Sequence, residues 1–525
     1  MSVGLHASLM PCSYGRGCSH RTPTVRQTLR LNRPTSLSAP TFVLGALALW
    51  LLASIAWRPL LLPDEGRYAS VAWEMLVGDG LTPTLDGLPF FHKPPLAYWI
   101  AMGAMKLFGA QPWAARLAPA LGAWLMAASL WLLLRRWYGE RTAGLGVLVL
   151  ATSPLFFIGG QYINHDMLVA GTISATVVGW LLALDEPGRV ERRALLLGWL
   201  ASGLAFLSKG LIGVVLPLLV VVPWLLAQRR WRDALRLAHP LGLLVWCVVA
   251  LPWAVAMQQQ HPAFFDYFIV AQHFRRYSSG GFNNVQPLWF FLAVVPLLML
   301  PWSLYLPAAL RRLRGADARA LLWPWWAASL LLFFSLPSSK LVGYALPALP
   351  GVAGLVALVA AEGRHWRVAA LLGAAIGLTA VGVLAWQAPN SHRDIAQALR
   401  SEMHGADRVV LVEGAFYDVP FYAQLRTPAI VASRWDDPAI AQRDNWQKEL
   451  HDAAGFASAA TAQRQLWPVD RLAELPCTDG AIWFVLHPGD SHQVAAIPGA
   501  TRVLKGANGD LWRAPERATC AAAPR

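Results

Sequence analysis

The sequence predicts a polytopic α-helical membrane protein of about eleven transmembrane helices, with a small α/β domain at its carboxy-terminal end. Three observations carry that prediction. The chain of 525 residues is 56% hydrophobic and only 14% charged, and a soluble chain so apolar could not cover its surface. Apolar runs near the length of a spanning helix, about 20 residues, recur from Thr41 to Trp386. Over 387–525 the composition changes to that of a soluble domain.

Taken in order, residues 1–40 are rich in Arg, Ser and Pro and contain no acidic residue. They lack the ordered regions of a signal peptide, and they read as a disordered basic cytoplasmic tail or in part as sequence upstream of the true start. Apolar runs follow at 41–57, 113–134, 142–160, 167–184, 194–208, 210–227, 240–257, 288–307, 320–336, 341–361 and 368–386. Arginines crowd the loops after the second, fourth, sixth, eighth and tenth runs, at Arg135–Arg136, Arg192–Arg193, Arg229–Arg230, Arg311–Arg312 and Arg364. All five loops fall on the side of the basic amino terminus, which is the cytoplasmic side by the positive-inside rule. That pattern accounts for the net charge of +14 better than nucleic-acid binding does, so no nucleic-acid partner is expected. An odd number of spans puts the carboxy-terminal domain on the opposite face.

Three segments on that outer face are more than connectors. The first, within the loop 58–112, is Asp64–Trp99, in which 66–77 and 94–108 read as short amphipathic helices. The second is the turn Gln161–Asp166, and the third is 258–287 with its AQHFRRYSSGGFNN stretch. In the carboxy-terminal domain, Ser391–His404 and Phe416–Gln424 read as helices. Arg408–Glu413, Ile430–Val431 and Ala481–Leu486 read as strands, and 501–505 with 510–513 as a closing hairpin. Cys247 reads as a core thiol, whereas an outer-face domain permits a disulfide between Cys477 and Cys520 without requiring one.

The chemistry concentrates in the first segment. A carboxylate at a membrane edge is costly and points to function, which makes Asp64 and Glu65 the leading catalytic candidates. The competing reading is an acidic helix start after Pro63 with Arg67 as partner. Tyr68 lies one turn along from Asp64 on the same face. Lys93, followed by two prolines, sits on stiff backbone where an ammonium could grip a phosphate. Asp166 supplies a second carboxylate at the mouth of the fourth span. Arg275, Arg276, Lys209 and Lys340 are outer-face cations, each of which asks for an anionic partner. His92, His165 and His273 fit no local zinc motif, so a Zn or Mg site on His92 and His273 would depend on tertiary proximity. No P-loop or nucleotide-binding glycine motif is present, and no nucleotide cofactor is expected.

At these residues a resemblance emerges. PDEGRYASVAWEML and FFHKPPLAYWI, continued by GLAFLSKGLIGVVLPLLVVVPW, QHFRRYSSG and PSSKLVGYALPALP, resemble bacterial lipid-carrier-dependent glycosyltransferases with the GT-C fold. The nearest are the aminoarabinose transferases of lipid A, with protein O-mannosyltransferases more distant. The resemblance covers most of 41–350 and implies a GT-C catalytic domain over 41–386 followed by a periplasmic domain over 387–525. It also implies a bacterial inner-membrane location. Asp64 and Asp166 match the family's loop carboxylates, Lys93 the lysine on the carrier-lipid phosphate, and Tyr68 a tyrosine of the same site. Arg67, Arg275, Arg276, Lys340 and Tyr344 complete the implied substrate-binding set. The chain departs from the family in carrying His92 where a Glu usually precedes Lys-Pro, and in showing fewer spans.

The reaction so implied moves a sugar from a polyprenyl-phosphate carrier to an envelope acceptor such as lipid A, or alternatively to a protein hydroxyl. A transporter or flippase of a lipid-linked sugar is the reading from another class. It would call for inverted repeats and polar residues at mid-membrane, whereas here the ionisable residues gather at helix ends on one face. A membrane scaffold leaves the acidic loop unexplained.

Overall fold

A computed structural model describes residues 39–275, 283–388, 390–475 and 480–515. Arg276, Cys477 and Cys520 lie outside the described residues. Five helices are long and apolar enough to cross a bilayer: Pro112–Tyr138, Asp166–Ala183, Pro240–Gln260, Val342–Ala360 and Trp366–Gln387. The pair Phe290–Leu298 and Trp302–Arg312, bent by 107°, makes a sixth if it counts as one span. Other apolar runs fold as helices that are shorter or more charged, such as Ala39–Leu52 and Arg192–Lys209. Ile212–Ala227 contains Pro217 and Pro223, each of which removes one backbone donor from the helix ladder. By length and composition, then, five or six crossings stand out among the described residues, against eleven apolar runs in the sequence.

Two further pieces sit on this bundle. The loop after the first helix folds as helices Asp64–Val77 and Leu96–Phe108, joined through a hairpin of β1 (Thr84–Leu85) and β2 (Leu88–Pro89). The carboxy-terminal part carries β3 (Arg408–Val412), β4 (Ile430–Ser433), β5 (Leu466–Pro468), β6 (Ile482–Leu486), β7 (Thr501–Lys505) and β8 (Asp510–Ala514). Their order is β5-β4-β3-β6-β8-β7, with the first four parallel and the last two antiparallel. β6 is buried at all five positions and β3 at its last four, as central parallel strands covered on both faces should be. β5, with the three residues LWP, is too short to leave a period-two signal, and the sequence reading did not identify it.

One apolar core joins the two pieces. Tyr68, Ala69 and Trp73 of the loop helix pack with Leu411, Phe421 and Val485 of the sheet domain. Polar contacts fix the register: Ser70 Oγ donates to the Tyr417 carbonyl at 2.6 Å, and Trp73 Nε1 to that of Leu425 at 2.7 Å. The close approach requires Gly66, where a Cβ would stand 3.0 Å from the Asp418 backbone nitrogen and 2.3 Å from Leu62 Cδ2. The helix that carries the acidic pair is therefore held between the bundle and the sheet domain.

Candidate active site

Pro63 precedes the helix Asp64–Val77, and two carboxylates occupy its first turn, where the helix dipole favours negative charge. Consecutive positions on a helix face different ways, and the two acids separate accordingly. Glu65 is fully buried and turns inward to Arg58 and Arg116. Arg116 donates to it twice at 3.0 Å, and the backbone nitrogens of Leu61 and Ile163 add bonds at 2.9 Å each. Burial raises the Glu65 carboxyl, but the two guanidiniums outweigh it and bring its pKa down to about 2. Glu65 ties the first loop to the Gln161–Asp166 turn and does not line the cavity.

Asp64 faces a cavity of about 760 Å³ instead. One of its oxygens accepts from Arg67 at 2.5 Å and the other from the Tyr162 hydroxyl at 3.4 Å. Arg67 also pairs with Glu449 of the sheet domain and lies against the Tyr68 and Tyr417 rings. The Tyr68 ring is buried edge-on to His165 at 4.8 Å, and burial raises its phenol above the ordinary value.

On the opposite wall, Asp166 opens its transmembrane helix, held by Asn164 through bonds of 2.9 and 3.2 Å. Lys209 closes an ion pair with it and sits 4.6 Å from the centre of the Tyr344 ring. The chain passes so close that a Cβ on Gly343 would stand 2.2 Å from Asp166 Oδ2, so only glycine fits there. Lys93 lines the same cavity, and so does His92, which stacks on Phe90 at 4.4 Å with Nδ1 4.0 Å from Glu449.

Of the residues singled out in the sequence, the cavity brings together Asp64, Arg67, Tyr68, His92, Lys93, His165, Asp166, Lys209 and Tyr344. Lys340 is not among its lining residues; it is buried, and its ammonium donates to the backbone carbonyls of Gln286 and Ser338 at 2.7 and 3.5 Å. His273 and Arg275 fall in the π-helical segment Asp266–Arg275, whose last residues are described in backbone only. Among the described residues no three His, Cys, Asp or Glu side chains converge as a metal would need.

The sequence reading missed the wall contributed by the sheet domain: Tyr417, Trp446, Lys448, Glu449, His392 and His487. No motif marks these residues, and all of them follow the last transmembrane residue of the wall, Tyr344, in the chain. The available signal was the amphipathic pattern of helix Trp446–Ala454, whose polar face carries Lys448, Glu449 and Asp452.

Comparison with known proteins agrees with this architecture. Residues 92–255 match the family model described as dolichyl-phosphate-mannose-protein mannosyltransferase. The chain is 34% identical over 419 residues to the undecaprenyl phosphate-α-4-amino-4-deoxy-L-arabinose arabinosyl transferase of Aeromonas salmonicida, covering 77% of this chain and 74% of that protein. The protein of the same description from Aeromonas hydrophila is 33% identical over 396 residues, covering 73% and 71%. The crystal structure of ArnT from Cupriavidus metallidurans bound to undecaprenyl phosphate shares the fold, with a TM-score of 0.78 at 24% identity over 93% of this chain and 100% of that one.

Proposed function

The chain belongs to the family of undecaprenyl phosphate-α-4-amino-4-deoxy-L-arabinose arabinosyl transferases and is a GT-C membrane glycosyltransferase; we propose that it moves 4-amino-4-deoxy-L-arabinose from undecaprenyl phosphate to lipid A on the periplasmic face. The observation that carries the mechanism is the single polar cavity in which Asp64, Lys93, Asp166 and Lys209 meet at the ends of membrane and loop helices. A carrier lipid reaching such a site laterally from the bilayer presents its phosphate there.

In this reading the acceptor oxygen attacks the anomeric carbon, and the bond from that carbon to the carrier phosphate breaks. The electron pair leaves on the phosphate, where Lys93 stabilises the growing charge, supported by Arg275 and Arg276. A phosphate acceptor needs no deprotonation, and Asp64 then positions the nucleophile with Asp166. A hydroxyl acceptor would make Asp64 the general base. The family model matched over 92–255 favours a protein hydroxyl as the second reading of the acceptor. Lys340, held on backbone carbonyls, and Glu65, held by two arginines, serve as supports of this site. A divalent metal, if one binds, would be held by His92 and His273.

The topology proposed with it has eleven spans in a domain over 41–386, the amino terminus in the cytoplasm and the domain 387–525 in the periplasm. The arginine-rich loops support it. Sugar transfer by purified Asp64→Asn enzyme tests the assignment. Loss of transfer with expression and melting temperature intact is expected, and an active Asp64→Asn enzyme would overturn it.

A further inference from the structure

The part of the cavity farthest along the chain from the membrane-edge lysines is built by the carboxyl ends of the sheet. In an open parallel sheet the chain leaves adjacent strands in opposite directions at one point, and ligands bind in the crevice outside the carboxyl ends there. In this domain that point lies between β3 and β6: the chain runs from β3 through β4 to β5 on one side, then returns to β6 on the other. The loops leaving these two strands carry Phe416 and His487, whose rings stand 4.7 Å apart, and His392 lies edge-on to Phe416 at 4.8 Å. All three line the cavity that holds Asp64 and Lys93.

The polar groups of this crevice are held in place by neighbours on the sheet domain. Asp418 is fully buried and faces His392: one of its oxygens bonds Nδ1 at 2.9 Å and the other accepts from the His392 backbone nitrogen at 2.8 Å. That carboxylate orients the imidazole, with Nδ1 engaged and Nε2 on the other side of the ring. Asn508 is pinned by a bond from Nδ2 to the Ser391 carbonyl at 2.8 Å. The other carboxylates of the cavity are engaged elsewhere: Glu449 and Asp64 on Arg67, Asp452 on Lys448, Asp166 on Lys209, and Asp444 on the backbone nitrogen of Asn283 at 3.1 Å. Among the described residues that line the crevice, no carboxylate is left free to compete with the two imidazoles.

We propose that this switch-point crevice is the acceptor subsite, in which His392 and His487 hold the phosphate-bearing headgroup of the acceptor while the carrier lipid occupies the membrane-edge end. The inference rests on the transferase reading for the word acceptor, and on the geometry alone for the site. Asp418 is a positioning residue that acts through His392.

The test is binding of N-acetylglucosamine 1-phosphate to the full-length protein in detergent, read by saturation-transfer NMR, alongside retention of undecaprenyl phosphate in native mass spectrometry. His487→Ala changes an exposed residue, and His392→Gln keeps a hydrogen-bonding side chain, so neither rests on an empty core. Affinity for the sugar phosphate weakened about tenfold or more in both variants, with carrier lipid retained, is the expected result. Unchanged affinity in both variants would overturn the proposal. Equal binding of unphosphorylated N-acetylglucosamine would overturn its anionic character, and equal binding of inorganic phosphate its assignment to a headgroup. Failure of the wild-type protein to retain undecaprenyl phosphate would overturn the transferase reading instead, whatever the sugar phosphate does.

Discussion

Arg67 bridges two carboxylates from different parts of the chain, pairing through one nitrogen with Asp64 and through another with Glu449 of the sheet domain. Glu449 also accepts from the Tyr417 hydroxyl at 2.9 Å. Burial raises its carboxyl, but its neighbours, Arg67 foremost, hold it below its ordinary value. Removing this one charge should free Arg67 to neutralise Asp64 more fully. Glu449→Gln is therefore expected to lower kcat/KM by about 2 kcal/mol, or roughly 30-fold, with the loss of a charge-assisted bond. Steady-state kinetics with purified enzyme checks this.

Glu65 and Asp64 are neighbours with separate tasks. Glu65→Gln leaves Arg58 and Arg116 facing a neutral amide in a fully buried site, and it should cost about 3–5 kcal/mol of stability. Asp64→Asn should leave stability nearly intact and remove activity. Thermal melts of the two variants side by side, each with an activity assay, separate the roles. A Glu65→Gln protein as stable as wild type would contradict the support role.

Lys209 and Asp166 join the helices Arg192–Lys209 and Asp166–Ala183 as an ion pair at the cavity wall. Lys209→Met and Asp166→Asn should each destabilise the protein, and the double variant should lose less than their sum. A coupling energy of about 1–2 kcal/mol is expected from a double-mutant cycle of melting data.

His165 gives the protein a pH dependence. Burial, and then Lys93, Lys209 and Arg67, hold its imidazole well below the usual histidine value. Both ring nitrogens lack a hydrogen-bond partner among the described residues. Its contribution to stability is complete above the unfolded-state pKa of about 6.5 and falls below it, as the unfolded chain takes up a proton that the folded one excludes. His165→Phe, which keeps the edge-on packing against Tyr68 and Tyr98, should flatten the decline of melting temperature between about pH 6.5 and 5.

The sequence made the chemistry at Asp64, Lys93 and Asp166 legible because charge in an apolar chain is costly and stands out locally. It did not reveal that Glu65 turns away from Asp64, since that depends on Arg116, half a hundred residues on, entering the core behind the helix. The sheet-domain wall was hidden for the same reason: Glu449 meets Arg67 across 382 positions, and no local pattern encodes such a meeting. Lys209 was legible as a cation in want of an anion, but its partner Asp166 was named by the fold. Lys340 looked equivalent to it until backbone carbonyls, which carry no sequence signal, took its ammonium.

The central claim is that the cavity holds a polyprenyl phosphate by Lys93, and native mass spectrometry of the purified protein with added undecaprenyl phosphate tests it most directly. The account predicts a retained lipid in the wild type and affinity reduced about tenfold or more in Lys93→Ala, as expected when a charged hydrogen bond to phosphate is lost. A wild-type protein that retains no lipid, or a Lys93→Ala protein that retains it equally well, would contradict it.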